Sequence, residues 1–225
     1  MKPNTKAIIL DWGGVIVTDG FKRAVPALSK RLGVSDEDLY RAYIKTINPN
    51  YVRGLIKIED RWNALFDALG VRYPLKDFLA EYYKIFQPIK GTIELVQKLK
   101  QAGYKVGVLS NQSEETLKFL REKYPTLFKL FDFYLWSCEL GYAKPDPRIF
   151  EKALEMAGTP ADQCVYIDDQ DKFLEKAKSL GFHTLKFQSP EQLKQALILG
   201  KLLKEDPPER NRETLKNNYN FVKKA

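Results

Sequence analysis

A chain of 225 residues, 44% of them hydrophobic, can bury one substantial core and a smaller appended unit, and its formal charge of +8 favours anionic partners: phosphorylated metabolites, nucleic acid or acidic surfaces. No apolar stretch approaches the roughly 20 residues that span a bilayer, and the opening MKPNTKAIIL has too short an apolar segment for a signal peptide, so a membrane protein is excluded and a cytoplasmic location expected. Cys138 and Cys164 stand far apart without CxxC or Cys/His spacing, which reads as two buried free thiols and suggests neither a disulfide framework nor a zinc site.

The first predicted strand, Ala7–Leu10, runs into Asp11 and then the glycine pair Gly13 and Gly14. About ninety residues follow with almost no strand signal, more than an ordinary crossover needs. They carry amphipathic helical patterns around Ala24–Leu32, Asp36–Lys45, Glu59–Leu69 and Leu75–Ile85, and read as an inserted helical unit closed by a crossover helix, Thr92–Gln101, that stops at Gly103. Four more apolar runs read as strands: Lys105–Leu109, Phe133–Trp136, Cys164–Ile167 and Thr184–Phe187. Between them lie helices at Glu114–Lys123, with Ser113 as N-cap, and at Pro147–Ala157, where Asp146 caps, Pro147 takes the first helical position and Gly158 ends the run. Strands alternating with helices predict an α/β fold with a parallel sheet. From Lys201 onward seven basic residues face four acids, a +3 tail that reads as a solvated end and not as a nucleic-acid arm.

In open parallel sheets, ligands bind beyond the carboxyl ends of the strands. Those positions here hold Asp11, then Ser110 and Asn111 in VLSNQS, then Lys144 in GYAKPDP, then Asp168 and Asp169 in VYIDDQD. Singly, each has a plain explanation as a turn former, a cap or a solvated charge. Together at one rim, the carboxylates would repel one another unless a cation sat among them, and an all-oxygen site suits Mg²⁺. A lysine and a Ser–Asn pair beside it offer a positive charge and hydrogen-bond donors for a phosphoryl group. Asp11 then reads as a carboxylate nucleophile toward phosphorus.

With these residues in this order, the chain resembles the haloacid dehalogenase (HAD) superfamily, whose four motifs are matched by Asp11 in ILDWGGV, Ser110 in VLSNQ, Lys144 in GYAKPDP and Asp168–Asp169 in VYIDDQD. The resemblance implies a Rossmann-like core over residues 1–17 and 91–200, a helical cap over 18–90 and a basic tail over 201–225. It also implies a small phosphorylated metabolite as partner, with nucleic acid and membrane set aside. Within the superfamily the chain looks most like sugar phosphatases of the glucose-1-phosphate type. YVRGLIKIEDRW is similar to the cap turn that precedes a cap helix, which makes Arg53 a candidate substrate contact. Asp11, the Gly13 carbonyl, Asp168 and Asp169 are the expected metal ligands, and Ser110 and Lys144 the expected phosphoryl contacts.

Two positions depart from the family pattern. The second aspartate that HAD phosphatases carry two residues after the nucleophile is Gly13 here, which removes the usual proton carrier and leaves Asp19 or a cap side chain to replace it. The position four residues after Asp168 is Lys172, with Asp171 one place earlier. Three functions remain open at this stage: a Mg²⁺-dependent phosphatase working through an aspartyl-phosphate, a 2-haloacid dehalogenase whose halide leaves without a proton, and a non-catalytic HAD-like binding or regulatory protein. Substrate identity and oligomeric state are not written in the motifs.

Overall fold

The computed structural model describes residues 4–205, so most of the predicted tail, residues 206–225, lies outside the described residues. Strands β1 (Ala7–Leu10), β2 (Lys105–Ser110), β3 (Phe133–Trp136), β4 (Cys164–Asp168) and β5 (His183–Lys186) form one parallel sheet in the order β3-β2-β1-β4-β5. The four residues of β1, AIIL, are all fully buried, as a central parallel strand covered on both faces requires.

Between β1 and β2 lie α1 (Val25–Leu32), α2 (Asp36–Lys45), α3 (Ile58–Leu69) and α4 (Leu75–Tyr82), followed by a 3₁₀ turn, Tyr83–Ile85. They enclose their own apolar cluster, built on Leu28, Leu39, Trp62, Leu65, Phe66 and Phe78. The onset of α2 is set locally: Ser35 Oγ accepts from the Asp38 amide at 3.0 Å, and three acids occupy the first turn. The predicted fourth helix runs to Ile85, whereas the α-helix stops at Tyr82. Its last turn tightens because the chain must meet its own incoming strand. Thr18 N donates to the Gln87 carbonyl at 2.8 Å, Gln87 N donates to Thr18 Oγ1 at 2.9 Å, and Ile89 N donates to the Ile16 carbonyl at 2.8 Å. The two passages into and out of the helices therefore run side by side.

The sheet is covered by α5 (Lys90–Gln101), α6 (Glu114–Lys123), α7 (Ser137–Leu140), α8 (Pro147–Ala157), α9 (Asp171–Ser179) and α10 (Pro190–Leu199). Alternation along the strands divides the core. Ile8, Leu10, Val106 and Val108 pack with Leu95, Leu117, Leu120 and Leu193 on one face, while Ala7, Ile9, Leu109 and Tyr166 pack with Ile149, Phe150, Phe173 and Ala177 on the other. The last strand sits one residue earlier than its apolar run suggests, because His183 to Lys186 pair with Val165 to Asp168. Among the described residues no helix is long and apolar enough to cross a membrane. Cys164 is buried, as expected, whereas Cys138 is only half-buried, and both are free.

Gly107 in β2 pairs with Phe133 in β3, and a Cβ at Gly107 would lie 2.1 Å from the Phe133 ring. The ring fills the missing side chain's place. Gly107→Val is therefore expected to destabilise by about 1–3 kcal/mol through overpacking, read as a lower urea midpoint at unchanged slope.

Candidate active site

Parallel register brings the strand ends to one rim. Leu10 pairs with Val108 on one side and Ile167 on the other, so Asp11, Ser110 and Asp168 arrive together just beyond. The Asp11 amide donates to the Ile167 carbonyl at 2.8 Å. Lys144, on the loop between α7 and α8, reaches the same place. Its ammonium lies 2.9 Å from Asp11 Oδ1, 2.7 Å from Asp168 Oδ2 and 2.9 Å from the Tyr166 hydroxyl. All of these side chains are buried.

Lys144 is thus an anchor for two acids, hydrogen-bonded to Asp168 and Tyr166 and ion-paired with Asp11. The loop that carries it is held by Asn111, whose Oδ1 accepts from the Lys144 amide at 2.7 Å and whose Nδ2 donates to the Lys144 carbonyl at 2.9 Å. Asn111 therefore spends its amide on positioning the lysine loop. Asp168 is equally committed: Oδ2 accepts from Lys144 and from the Tyr166 hydroxyl, and Oδ1 accepts from the Gln170 amide at 2.8 Å.

One ammonium faces three carboxylates here. Asp11, Asp168 and Asp169 each offer an oxygen within 4.8 Å of the others, a group that could hold a metal ion. The buried Asp169 Oδ1 has no hydrogen-bond partner among the described residues. Asp11 Oδ1 likewise has none beyond its ion pair with Lys144, and an all-oxygen set with oxygens left over fits a hard divalent cation. The electrostatics agree. Burial pushes the Asp11 carboxyl up to about 7, with Lys144 pulling it down and Asp168 raising it further. Burial and then Asp168 raise Asp169. Burial opposes the charge on Lys144, but Asp11 and Asp168 outweigh it and hold the ammonium above its ordinary value.

The loop after β1 is closed by Gly14 N donating to the Val17 carbonyl and by Ile16 N and Val17 N donating to the Trp12 carbonyl. Trp12 is fully buried against Phe128, Phe131 and Trp136. Gly14 has φ 78°, and a Cβ there would also lie 2.6 Å from Asp169 Oδ2, so conformation and space both demand glycine. Gly13 is outside the left-handed region; a Cβ there would lie 2.2 Å from Asp19 Oδ2.

Two cavities meet at this rim. The first, about 140 Å³, is lined by Asp11, Gly13, Ser110, Lys144, Asp169 and Phe173 among others. The second, about 190 Å³, lies under the four inserted helices and is lined by Tyr43, Tyr51, Arg61, Trp62, Tyr82 and Thr116 among others. Asp19, Gly20 and Asn111 border both. A larger open hollow, about 1130 Å³ between the Gly54 turn and α6, is lined by charges such as Glu59, Glu114 and Lys118, none of them buried as Asp11 and Lys144 are.

Arg53 lines neither cavity. Its backbone closes a turn on the Asn50 carbonyl, and its charge bears on Asp146. Tyr51 and Val52 from the same turn do reach the second cavity, and the cation there is Arg61 from α3. Arg61 is 5% exposed, lies 5.0 Å from the Tyr43 ring and 4.7 Å from the Trp62 ring, donates to Thr46 Oγ1 at 3.3 Å, and meets no acid at ion-pair distance among the described residues. Sequence reasoning missed Arg61, Tyr43, Trp62 and Tyr82, which carry only the ordinary signature of amphipathic helices. Lys172 stays outside, its ammonium over the Phe173 ring.

Acids and a lysine gathered at the carboxyl rim of a parallel sheet, beneath helices inserted after the first strand, define a hydrolase of the HAD type. The chain belongs to the haloacid dehalogenase-like hydrolases, whose family model matches residues 5–181. It is 33% identical over 115 residues to (S)-2-haloacid dehalogenase 4A of Burkholderia cepacia, covering 51% of this chain and 49% of that protein. It is 25% identical over 181 residues to Phosphatase MT3486 of Mycobacterium tuberculosis, covering 78% and 83%. The chain spans about half the length of the Burkholderia relative and 18% of another, mouse acyl-CoA dehydrogenase family member 10. Among solved structures, a HAD family enzyme of Bacteroides thetaiotaomicron, BT-2542, superposes with TM-score 0.73 at 23% identity, over 86% of this chain and 98% of that one. The same enzyme in complex with magnesium and inorganic phosphate superposes with TM-score 0.69 at 22% identity, over 82% and 95%.

The raised Asp11 carboxyl makes stability pH-dependent. Between the ordinary carboxylate value near 3.9 and about 7, the folded protein retains a proton that the unfolded chain has released, so metal-free stability falls as pH rises through that window. Calorimetry in chelator is expected to show a lower melting temperature at pH 7.5 than at pH 5. Asp11→Asn, which cannot ionise there, is expected to reduce the difference.

Proposed function

We propose that the protein is a Mg²⁺-dependent phosphatase that cleaves a small phosphomonoester through a phosphorylated Asp11. The observation that carries this reading is the excess of buried carboxylates: Asp11, Asp168 and Asp169 share one rim with a single ammonium. Displacement of halide at carbon needs no further cation, and for that chemistry the extra acids would be an uncompensated cost. For phosphoryl transfer they are the holder of the ion. Asp11, Asp169 with its unpartnered oxygen and the Gly13 carbonyl are the residues that would hold Mg²⁺, with Asp168 fixed by Lys144 behind them. When bound, the ion supplies positive charge against the phosphoryl oxygens and the nucleophile.

The chain's own residues account for the rest. Residues 18–90 act as the cap and close the second cavity over the rim. Lys144 and the Asp11 main-chain bond to Ile167 fix the attacking carboxylate. Ser110, 2% exposed beside Asp11, donates to a phosphoryl oxygen in the first cavity. The substrate is a phosphorylated metabolite whose leaving group extends into the second cavity, where Arg61 and the Trp62 Nε1–H, without a hydrogen-bond partner among the described residues, present donors. A cavity of about 190 Å³ lined this way takes a compact, acceptor-rich leaving group, a sugar or short hydroxy acid, in place of an extended apolar one.

Phosphate release from a panel of phosphomonoesters with and without Mg²⁺ is the decisive measurement. Wild type is expected to be active only with the ion and Asp11→Asn to retain less than about 1% of that activity, in keeping with loss of the nucleophile. Halide release from 2-chloropropionate without phosphate release would overturn the assignment. Binding is read separately: Mg²⁺ should raise the melting temperature of the wild type by mass action, and Asp169→Asn should remove most of that increment. On the cap side, Arg61→Met is expected to lower kcat/KM by about 10–100-fold for sugar or hydroxy-acid phosphates, the value of a hydrogen bond to a charged group. The loss on acetyl phosphate, too small to reach the second cavity, should be lesser.

A further inference from the structure

Resting on the phosphatase reading, one requirement is left unmet by the residues assigned so far. Breaking the P–O bond of an alkyl phosphate releases an alkoxide, which needs a proton as it departs. That proton must be delivered where the first cavity, holding the phosphoryl group, opens into the second, holding the leaving group.

We propose that Asp19 is the catalytic acid and base of this enzyme, its carboxylate standing in the space that the absent side chain of Gly13 leaves open. Three residues border both cavities: Asp19, Gly20 and Asn111. Gly20 has no side chain, and the Asn111 amide is occupied with the Lys144 backbone. Asp19 alone of the three has a transferable proton. Its aim is set by the chain: Gly20 N–H donates to Oδ1 at 2.5 Å, while Oδ2 points at Gly13, 2.2 Å from where a Cβ would stand, and makes no hydrogen bond among the described residues. The segment is held in turn by Thr18, bonded to Gln87 directly before it.

The other titratable groups nearby have different work or poor chemistry. Asp11 is the nucleophile. Asp168 and Lys144 bind each other, and Asp169 lies on the Gly14 side of the loop. Arg61 does not release its proton, and Tyr43, Tyr51 and Tyr82 border the second cavity but not the first.

The steps balance. An Asp11 carboxylate oxygen forms a bond to phosphorus as the bond from phosphorus to the ester oxygen breaks, and protonated Asp19 gives its proton to that oxygen, so the alcohol leaves neutral. Asp19, now a carboxylate, takes a proton from water as that water attacks the phosphorus of the aspartyl-phosphate. Asp11 is released as carboxylate, inorganic phosphate forms, and Asp19 is protonated again.

The test compares p-nitrophenyl phosphate, whose leaving group departs as an anion, with a series of alkyl phosphates, in wild type, Asp19→Asn and the double variant Asp19→Gly/Gly13→Asp. Calorimetry first establishes that each variant folds. Asp19→Asn is expected to lower kcat/KM for alkyl phosphates by about 10²–10⁴-fold, the usual worth of a proton carrier, with a much smaller effect on the aryl ester. The plot of log kcat/KM against leaving-group pKa should therefore steepen. With the aryl ester, kcat should fall and phosphoenzyme accumulate in acid quench, because hydrolysis has lost its base. The double variant returns a carboxylate to the same space from the other side of the loop, where the backbone of Gly13 tolerates a Cβ once Asp19 is gone, and should recover part of the alkyl activity. A folded Asp19→Asn with an unchanged slope, or with equal losses on aryl and alkyl esters and no phosphoenzyme, overturns the role of Asp19 while leaving the phosphatase reading intact. A wild type that releases no phosphate from any of these esters overturns both.

Discussion

Everything at the rim depends on the contact between the Lys144 ammonium and the carboxylates of Asp11 and Asp168. Burying an ion costs several kcal/mol after relaxation, and only close pairing with full hydrogen bonding recovers that cost. Lys144 comes close to that condition, its ammonium donating to Asp168 and Tyr166 and lying 2.9 Å from Asp11 Oδ1, and its loop clasped by Asn111. The acids do not, since one positive charge cannot neutralise three negative ones. That excess of acid over one ammonium is the imbalance that a bound cation would offset.

The division of labour between the two faces of the site follows from that constraint. Lys144 and Asp168 are locked together behind Asp11, so they act as scaffold and counter-charge. Asp169, with an oxygen to spare, turns toward the cavity. The loop after β1 threads between these groups with glycines at the two places where a side chain would collide with a carboxylate, Asp19 at one and Asp169 at the other. A backbone that passes so close to two acids has room for nothing larger.

The helices inserted after β1 are bound to the sheet by hydrogen bonds that also bear on the chemistry. Thr18 and Gln87 join the outgoing and returning chain, and Asp19 is the next residue after that junction. At the far side the Ser137 hydroxyl donates to the Val52 carbonyl and Tyr51 donates to Glu115. The cavity under the helices is therefore framed by the same contacts that fix the position of the turn carrying Tyr51 and Val52. The aromatic cluster of the inserted helices, in which Phe21 stacks on Tyr43 and Trp62 packs on Phe78, supplies walls through Phe21, Tyr43 and Trp62.

The sequence by itself determined the five strands, seven of the helices and the gathering of acids and a lysine at one rim. Apolar runs of four or five residues are enough to mark strands of a parallel sheet, and Ser113, Asp146 and Gly158 mark helix ends because capping is settled within a few residues of chain. Asp11, Ser110, Lys144, Asp168 and Asp169 could be placed together for the same reason, each following directly on a strand or its loop. Tertiary structure alone decided what those residues hold. Asn111 reads as a donor for substrate until its amide is seen closed on the backbone of Lys144, 33 residues away. Arg53 and Arg61 are both cap arginines in sequence, and only the packing of α3 against Tyr43 turns the second into the cavity and leaves the first beside Asp146. Gly13 reads as a lost carboxylate, yet six residues later Asp19 folds back into the vacated space. A loop's path depends on contacts across the whole chain, between the segment 16–18 and the segment 85–89 in this case, and no local pattern of residues encodes a meeting of that kind.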